Sequence, residues 1–247
     1  MPDRPRIVLL HGLGGAAAVW AGVLAALAPH AEVETPELPG HGRAGGPYTG
    51  GPLTIAALAE RLLGETSGRS VLVGHSIGSA VVLEAARRAP DRVAAVVTVG
   101  GAEIWPEEFR VAIEARAQAV EAGGVEAVVD QVLATGLHPA THAGAPHVVG
   151  LLRELMVRTD RAGYAACCRA IATADRPVDL AAIRPPVHCV VGDRDLSTPP
   201  AFSGRIAAAA RRGSMTVLPR AAHWCMVERP FELAAEILRV ALASPAG

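Results

Sequence analysis

The sequence contains no lysine: all 23 of its basic residues are arginine. Schiff-base chemistry on a lysine amine and proton donation from a lysine ammonium are thereby excluded. Charge of both signs is sparse. Only 19% of the 247 residues are charged and the net charge is −1, which leaves no basic arm for nucleic acid and no acidic tail. Aromatic residues make up 3%, so a ligand pocket is expected to be aliphatic and not large. Cys167 and Cys168 are adjacent, Cys189 and Cys225 stand alone, and no C-x-x-C pair occurs. In a chain of this length that pattern speaks against a disulfide framework and for a reducing compartment. No apolar run approaches the ~18 residues of a membrane span, and residues 1–6 lack the apolar core of a signal peptide. The expectation is a soluble, cytoplasmic protein with no nucleic-acid or membrane partner.

Hydrophobic residues, by contrast, reach 51%, enough for one sizeable core with room for a small inserted unit. Short apolar runs at 7–10, 31–35, 70–73, 92–99, 187–191 and 214–218 read as strands, several of them buried on both faces. Helix-period segments lie between them at 17–28, 55–65 (with Thr54 as N-cap), 77 to about 90, 200–211 and 230–243. This alternation predicts an α/β fold, a mostly parallel, doubly wound sheet with helices on both faces. From 102 to 178 the alternation lapses into helical patterns alone, broken by Gly123-Gly124 and by a Pro- and Gly-rich loop at 136–146. The expected organisation is therefore a core of residues 1–101 and 179–247 with a helical cap, 102–178, laid over it.

At 74–78 the chain reads Gly-His-Ser-Ile-Gly, with an apolar β-branched run before it and an alanine-rich helical pattern after it. Strand, sharp turn and helix with a serine at the apex make a nucleophile elbow, whose flanking glycines relieve backbone crowding. The turn exposes the Ser76 hydroxyl and leaves the Ile77 amide at a helix N-terminus, where it can face a developing oxyanion.

Ligands of open α/β sheets bind beyond the carboxyl ends of the strands. Those positions carry His11-Gly12-Leu13 after the first strand, Ser76 after the third, Gly192-Asp193-Arg194-Asp195 after the fifth and Ala222-His223-Trp224 after the last. A serine nucleophile needs a base, and His223 supplies one; the acid that orients it follows the fifth strand, as Asp195 or Asp193, with Glu103 a third candidate. Nucleophile, acid and base then fall in the order Ser, Asp, His.

With His11-Gly12, Pro39-Gly40-His41-Gly42, the elbow, Gly192-Asp193-Arg194-Asp195 with Thr198-Pro199-Pro200, and His223 all in order, the chain resembles the α/β-hydrolases with a helical cap over essentially its whole length. The cap segment Gly163-Tyr164-Ala165-Ala166-Cys167-Cys168-Arg169-Ala170-Ile171, with Asp175 beyond it, is similar to 3-oxoadipate enol-lactonases, which hydrolyse a small lactone bearing a carboxylate. The resemblance implies a Ser76–Asp195–His223 triad, an oxyanion hole of the Leu13 and Ile77 amides, and no cofactor. It departs from the usual pattern at Ser79, where many relatives carry a second glycine, and at Glu37, where aspartate is common. The antiparallel strands that precede the first parallel strand in many relatives are not expected, which leaves one sheet edge differently finished and suits either a monomer or a homodimer.

Other residues have more than one reading. His11 orders the glycine loop after it; His75 either lines the pocket or packs beneath that loop. Trp105, Phe109, Met156, Tyr164 and Trp224 form core or pocket wall. The arginines Arg153, Arg158, Arg161 and Arg169 are solvated helix faces, unless Arg169 or Arg161 pairs with a substrate carboxylate through its planar fork. His138, His142 and His147 sit in a broken loop without nearby carboxylates, so no metal site is expected. The substrate-binding set is taken as His75, Trp105, Tyr164, Arg169 and Trp224. The expected activity is hydrolysis of a small ester or lactone through an acyl-enzyme. Thioester hydrolysis, C–C bond hydrolysis of a diketone, perhydrolysis and acyl transfer would use the same triad. A non-hydrolytic binding protein or a natural-product cyclase is the alternative of another class.

Overall fold

The computed structural model describes residues 4–244, and its organising element is a six-stranded sheet in which every neighbouring pair is parallel. In chain order the strands are β1 (Arg6–Leu10), β2 (Glu32–Glu34), β3 (Ser70–His75), β4 (Val93–Val99), β5 (Val187–Gly192) and β6 (Gly213–Leu218). They lie side by side as β2-β1-β3-β4-β5-β6. β3, β4 and β5 are buried at every position, as their unbroken apolar sequences require of strands covered on both faces. The edge strands β2 and β6 are only partly covered.

The chain runs outward from β1 to β2 and then returns to place β3 on the other side of β1. The topological switch therefore lies between β1 and β3, where ligands of open α/β sheets bind. Two groups of helices cover the sheet. α1 (Ala21–Leu27) packs with the last long helix, Pro230–Leu242, which lies against β3, β4 and β5; α2 (Ile55–Glu65) packs with α3 (Ile77–Arg88), which lies against β1, β3 and β4. Thr54 caps α2 by accepting the Ala57 amide at 3.1 Å.

Between β4 and β5 the chain forms five helices: α4 (Glu107–Gly123), α5 (Val129–Gly136), α6 (Pro139–Gly144), α7 (Pro146–Val157) and α8 (Arg161–Ala172). α4 and α8 pack along each other, and α7 packs on α5 and α6. The segment 136–146, expected as an irregular loop, contains α6. Pro139 fits its first turn, which needs no N–H, and His138 Nδ1 accepts the Ala140 amide as cap. Cap and core meet at the start of α8. Asp160 donates its amide to the Gly40 carbonyl at 2.8 Å and accepts the Gly163 amide at 2.8 Å, and the backbones of Gly40 and Gly163 touch. After β5 come α9 (Pro200–Ala209), packed on β5 and β6, then the short α10 (Cys225–Glu228) and α11 (Pro230–Leu242). No helix among the described residues is long and apolar enough to cross a membrane.

Candidate active site

Ser76 stands between β3 and α3 with φ 54° and ψ −120°, a region that residues with a side chain rarely occupy. The strain persists because the packing around it allows nothing else. A Cβ on Gly74 would stand 2.1 Å from the Gly78 carbonyl oxygen, and one on Gly78 would stand 2.8 Å from the carbonyl oxygens of Leu10 and His11. The glycine spacing of the elbow is thus a packing requirement between β1, β3 and α3. Ser79, standing where a second glycine is common, turns its hydroxyl back to donate to the Gly74 carbonyl at 2.6 Å.

His223 follows β6, and its Nδ1 lies 2.9 Å from Asp195 Oδ2 beyond β5. The carboxylate is fully committed. Its Oδ1 accepts the amides of Ser197 and Thr198 at 2.9 and 2.8 Å, and Oδ2 also accepts the Thr198 hydroxyl at 2.9 Å. Burial alone would raise the Asp195 pKa; the charge and hydrogen bond of His223, with the hydrogen bonds from the Thr198 amide and hydroxyl, outweigh it and hold the carboxyl below its ordinary value. The two rival acids lie elsewhere. Asp193 is exposed and accepts the Ala221 amide, and Glu103 pairs with Arg205.

The loop after β1 is held by two buried, neutral histidines. A carbonyl can only accept, so His11 Nδ1 donates to the Gly12 carbonyl (2.8 Å), leaving Nε2 to accept the Leu38 amide. His41 repeats the pattern, donating from Nδ1 to the Pro39 carbonyl and accepting the Gly14 amide on Nε2 at 3.1 Å. Burial lowers their pKa values to about 4 and about 3 respectively. Glu37 completes the frame, accepting the Ala17 amide at 2.9 Å and the Arg43 amide at 2.6 Å. Among the described residues, neither the Leu13 nor the Ile77 amide has an acceptor, so both donors remain free for a ligand oxygen.

Ser76, Leu13, His223 and Trp224 open on one cavity of about 50 Å³, roofed by Trp105, Phe109, Ile113, Arg116, Tyr164 and neighbouring cap residues. Ser76 Oγ makes no hydrogen bond to His223 among the described residues, a looseness common before a substrate arrives. The cavity is small, as expected, but not aliphatic: Trp105, Phe109, Tyr164 and Trp224, half of the chain's eight aromatic residues, line it. Half of the scarce aromatics are thus gathered where large rigid side chains enclose this cavity.

Two of the expected substrate-binding residues lie elsewhere. His75 is fully buried beneath the site and does not reach the cavity. Arg169 faces away from it, with Nη2 2.8 Å from Glu121 Oε2 and Nε 3.2 Å from Glu114 Oε1. Arg161 is exposed at the first turn of α8. The cavity arginine is instead Arg116, half-buried and without an ion pair among the described residues. Its charge and hydrogen bonding act on the buried Tyr164 hydroxyl against the desolvation that drives that group's pKa well above its usual value. Phe109, Ile113 and Arg116 recur at i, i+4 and i+7 along α4, the sequence signal that could have placed this arginine.

The cysteines are free, buried thiols, and burial pushes Cys167 up to about 12 and Cys189 up to about 11, so neither offers a thiolate. His138 caps α6, and His142 Nε2 donates to the Leu133 carbonyl at 3.1 Å. Among the described residues no three His, Cys, Asp or Glu side chains gather as a metal site.

The chain is similar to several known proteins in sequence and in fold. Pimeloyl-[acyl-carrier protein] methyl ester esterase of Aromatoleum aromaticum is 42% identical over 98 residues, which cover 40% of this chain and 38% of that protein's length. A Rhizobium rhizogenes protein named as a carbamate hydrolase, RutD, is 31% identical over 96% of this chain and 93% of its own. Among solved structures, the enol-lactonase from Burkholderia xenovorans LB400 superposes with a TM-score of 0.87 at 28% identity, covering 96% of this chain and 91% of that one. The profile of the alpha/beta hydrolase family matches residues 7–236, and the chain belongs to that family.

Proposed function

We propose that the protein hydrolyses a small carboxylic ester or lactone through an acyl-enzyme on Ser76. The observation that carries this reading is the shared cavity, on which the elbow serine, the Asp195-bound His223 and the free Leu13 amide converge. Ser76 Oγ attacks the carbonyl carbon as His223 Nε2 takes its proton, and Asp195 holds Nδ1–H in place and stabilises the imidazolium. The Leu13 and Ile77 amides take the charge that forms on the carbonyl oxygen. The C–O bond to the leaving group breaks, the leaving oxygen takes the proton from His223, and water repeats the sequence in reverse to free Ser76. Ester and lactone hydrolysis fit the hydrolase relatives equally.

The walls narrow the substrate. A cavity of about 50 Å³ is far below the ~300–1,000 Å³ of pockets for drug-sized ligands, which favours a short acyl group. Arg116 supplies at its edge a positive charge that has no ion pair among the described residues, which favours a substrate with an anionic group, as in an enol-lactone carrying a carboxylate. The identity to a methyl ester esterase supports a methyl ester as a second reading.

A panel of acetyl, methyl, lactone, thioester and diketone substrates against wild type and Ser76→Ala tests both. The expected result is selective turnover of a short ester or lactone that disappears in Ser76→Ala, with a fluorophosphonate adduct on Ser76. Full p-nitrophenyl acetate activity in Ser76→Ala would overturn the acyl-enzyme. Absence of both turnover and adduct would favour the binding protein or cyclase.

A further inference from the structure

His75 is the last residue of β3, immediately before the nucleophile, and its side chain is fully buried. Its Nε2 lies 2.9 Å from the main-chain carbonyl oxygen of His223, 148 residues later in the chain. Since that oxygen can only accept, Nε2 carries the hydrogen and Nδ1 the lone pair. Nδ1 is buried without a partner among the described residues, and a Cβ at Gly12 would come within 2.5 Å of it. A second proton on the ring would have no acceptor. His75 is thus built to be a neutral imidazole of one tautomer.

The bond joins the two halves of the catalytic apparatus. His223 is held at three points: its amide donates to the Gly136 carbonyl of α5 at 3.0 Å, its ring meets Asp195, and its carbonyl accepts from His75. The first contact ties the base to the cap and the second to the strand of the acid. Only the third ties it to the residue bonded to Ser76. The two imidazole rings are 4.6 Å apart between centroids, so the charge state of one bears directly on the other.

We propose that His75 is a positioning residue: by donating from Nε2 to the His223 carbonyl it sets the base against the nucleophile, and by staying neutral it leaves the site's positive charge to His223. This rests on the triad reading above. Desolvation, followed by the charge on His223, holds the His75 pKa well below 6.5, with His11 acting in the same direction. The titratable groups facing it are His223, His11 and, through His223, Asp195. An imidazolium at His75 would oppose the imidazolium that the first proton transfer creates on His223.

The test has two arms. In the first, His75→Leu removes the donor at similar bulk, and His75→Gln keeps an N–H that can reach the same carbonyl. The expected result is a fall in kcat of about 10–100-fold for His75→Leu with KM nearly unchanged, and recovery to within about threefold of wild type in His75→Gln. Equal losses in the two variants, or wild-type kcat in His75→Leu, would overturn the proposal. The second arm needs no variant: nitrogen-15 NMR of the wild-type imidazoles should show His75 neutral with its proton on Nε2 between about pH 5 and 8. An Nδ1-protonated or cationic His75 in that range would overturn it. This arm reads the bond whether or not the protein turns over an ester, so it separates failure of the His75 assignment from failure of the acyl-enzyme.

Discussion

Asp195 presents Oδ2 to His223 Nδ1 at 2.9 Å while its Oδ1 is saturated by the amides of Ser197 and Thr198. The carboxylate cannot rotate without breaking these bonds. The imidazole is therefore fixed with its proton on Nδ1 and its lone pair on Nε2, the tautomer that a serine nucleophile requires. Asp195→Asn would turn its NH2 either against Nδ1, favouring the wrong imidazole tautomer, or against the Ser197 and Thr198 amides, and kcat is expected to fall by about 10⁴-fold with the fold intact. Asp193→Asn, changing an exposed carboxylate that braces the Ala221 turn, should stay near wild type. Steady-state kinetics on the two variants decides between the acids.

Glu37 offers a test of the oxyanion loop by stability and rate together. Its buried carboxylate accepts two main-chain amides, Ala17 N at the end of the loop after β1 and Arg43 N in the loop after β2, and so ties the two loops together. Glu37→Ala would leave both donors, Ala17 N and Arg43 N, without their partner, at a cost of about 1–3 kcal/mol each if no water replaces it. The expected outcome is a lower urea midpoint and a lower kcat, because the Leu13 amide sits on the same loop. Glu37→Gln, keeping one acceptor oxygen, should fall between.

The forces that fix this fold differ in range, and the short-range ones leave the clearer mark in the sequence. The elbow was legible because its geometry is enforced by neighbours in sequence: Gly74 and Gly78 permit the backbone approach that Ser76 needs. Asp195 and His223 were legible because each follows an apolar strand, and all parallel strands deliver their ends to one edge. The cap was not readable in the same way. Helical periodicity shows that α4 and α8 each have an inner face, but only their mutual packing decides that Arg116 turns inward and Arg169 outward to Glu114 and Glu121. His75 was ambiguous for a related reason. Its partner is a main-chain carbonyl 148 residues away, which no local pattern announces. The short helix α6 was hidden by the glycines and prolines around it, though Pro139 is well suited to a first helical turn.

Arg116 at the cavity and Arg169 on the surface offer a paired test of the proposed selection by charge. Arg116→Gln should lower kcat/KM for a short ester or lactone bearing a carboxylate by about 10–100-fold, the worth of a charge-assisted hydrogen bond of ~1.5–3 kcal/mol, and leave a neutral analogue nearly unaffected. Arg169→Gln breaks ion pairs with Glu121 and Glu114 that are open to solvent, so its effect on stability should stay within about 1 kcal/mol and its effect on selectivity should be nil. Both substrates should be assayed on both variants. Equal loss on neutral and anionic substrates in Arg116→Gln would remove the electrostatic role.

Acid sensitivity follows from the histidines that frame the oxyanion loop. His11 and His41 are neutral in the folded protein, with pKa values lowered by burial to about 4 and about 3, whereas in the unfolded chain they titrate near 6.5. As pH falls below 6.5 the unfolded chain takes up protons that the folded protein refuses. The stability these residues permit is thus complete above about pH 6.5 and drains away as pH falls toward their folded values. His75 and His188, both held below 6.5 by burial, add to the same slope. The depressed carboxyls of Asp195, Glu84 and Glu236 also lose stability on acidification, but in a lower window set by ordinary carboxylate titration. Urea midpoints measured from pH 7.5 to 5 should therefore fall steeply before most carboxylates protonate. A His41→Gln variant, whose side-chain oxygen can still accept the Gly14 amide, should show a shallower slope over that range. A flat profile between pH 7 and 5 in the wild type would contradict the neutral, buried state of the pair.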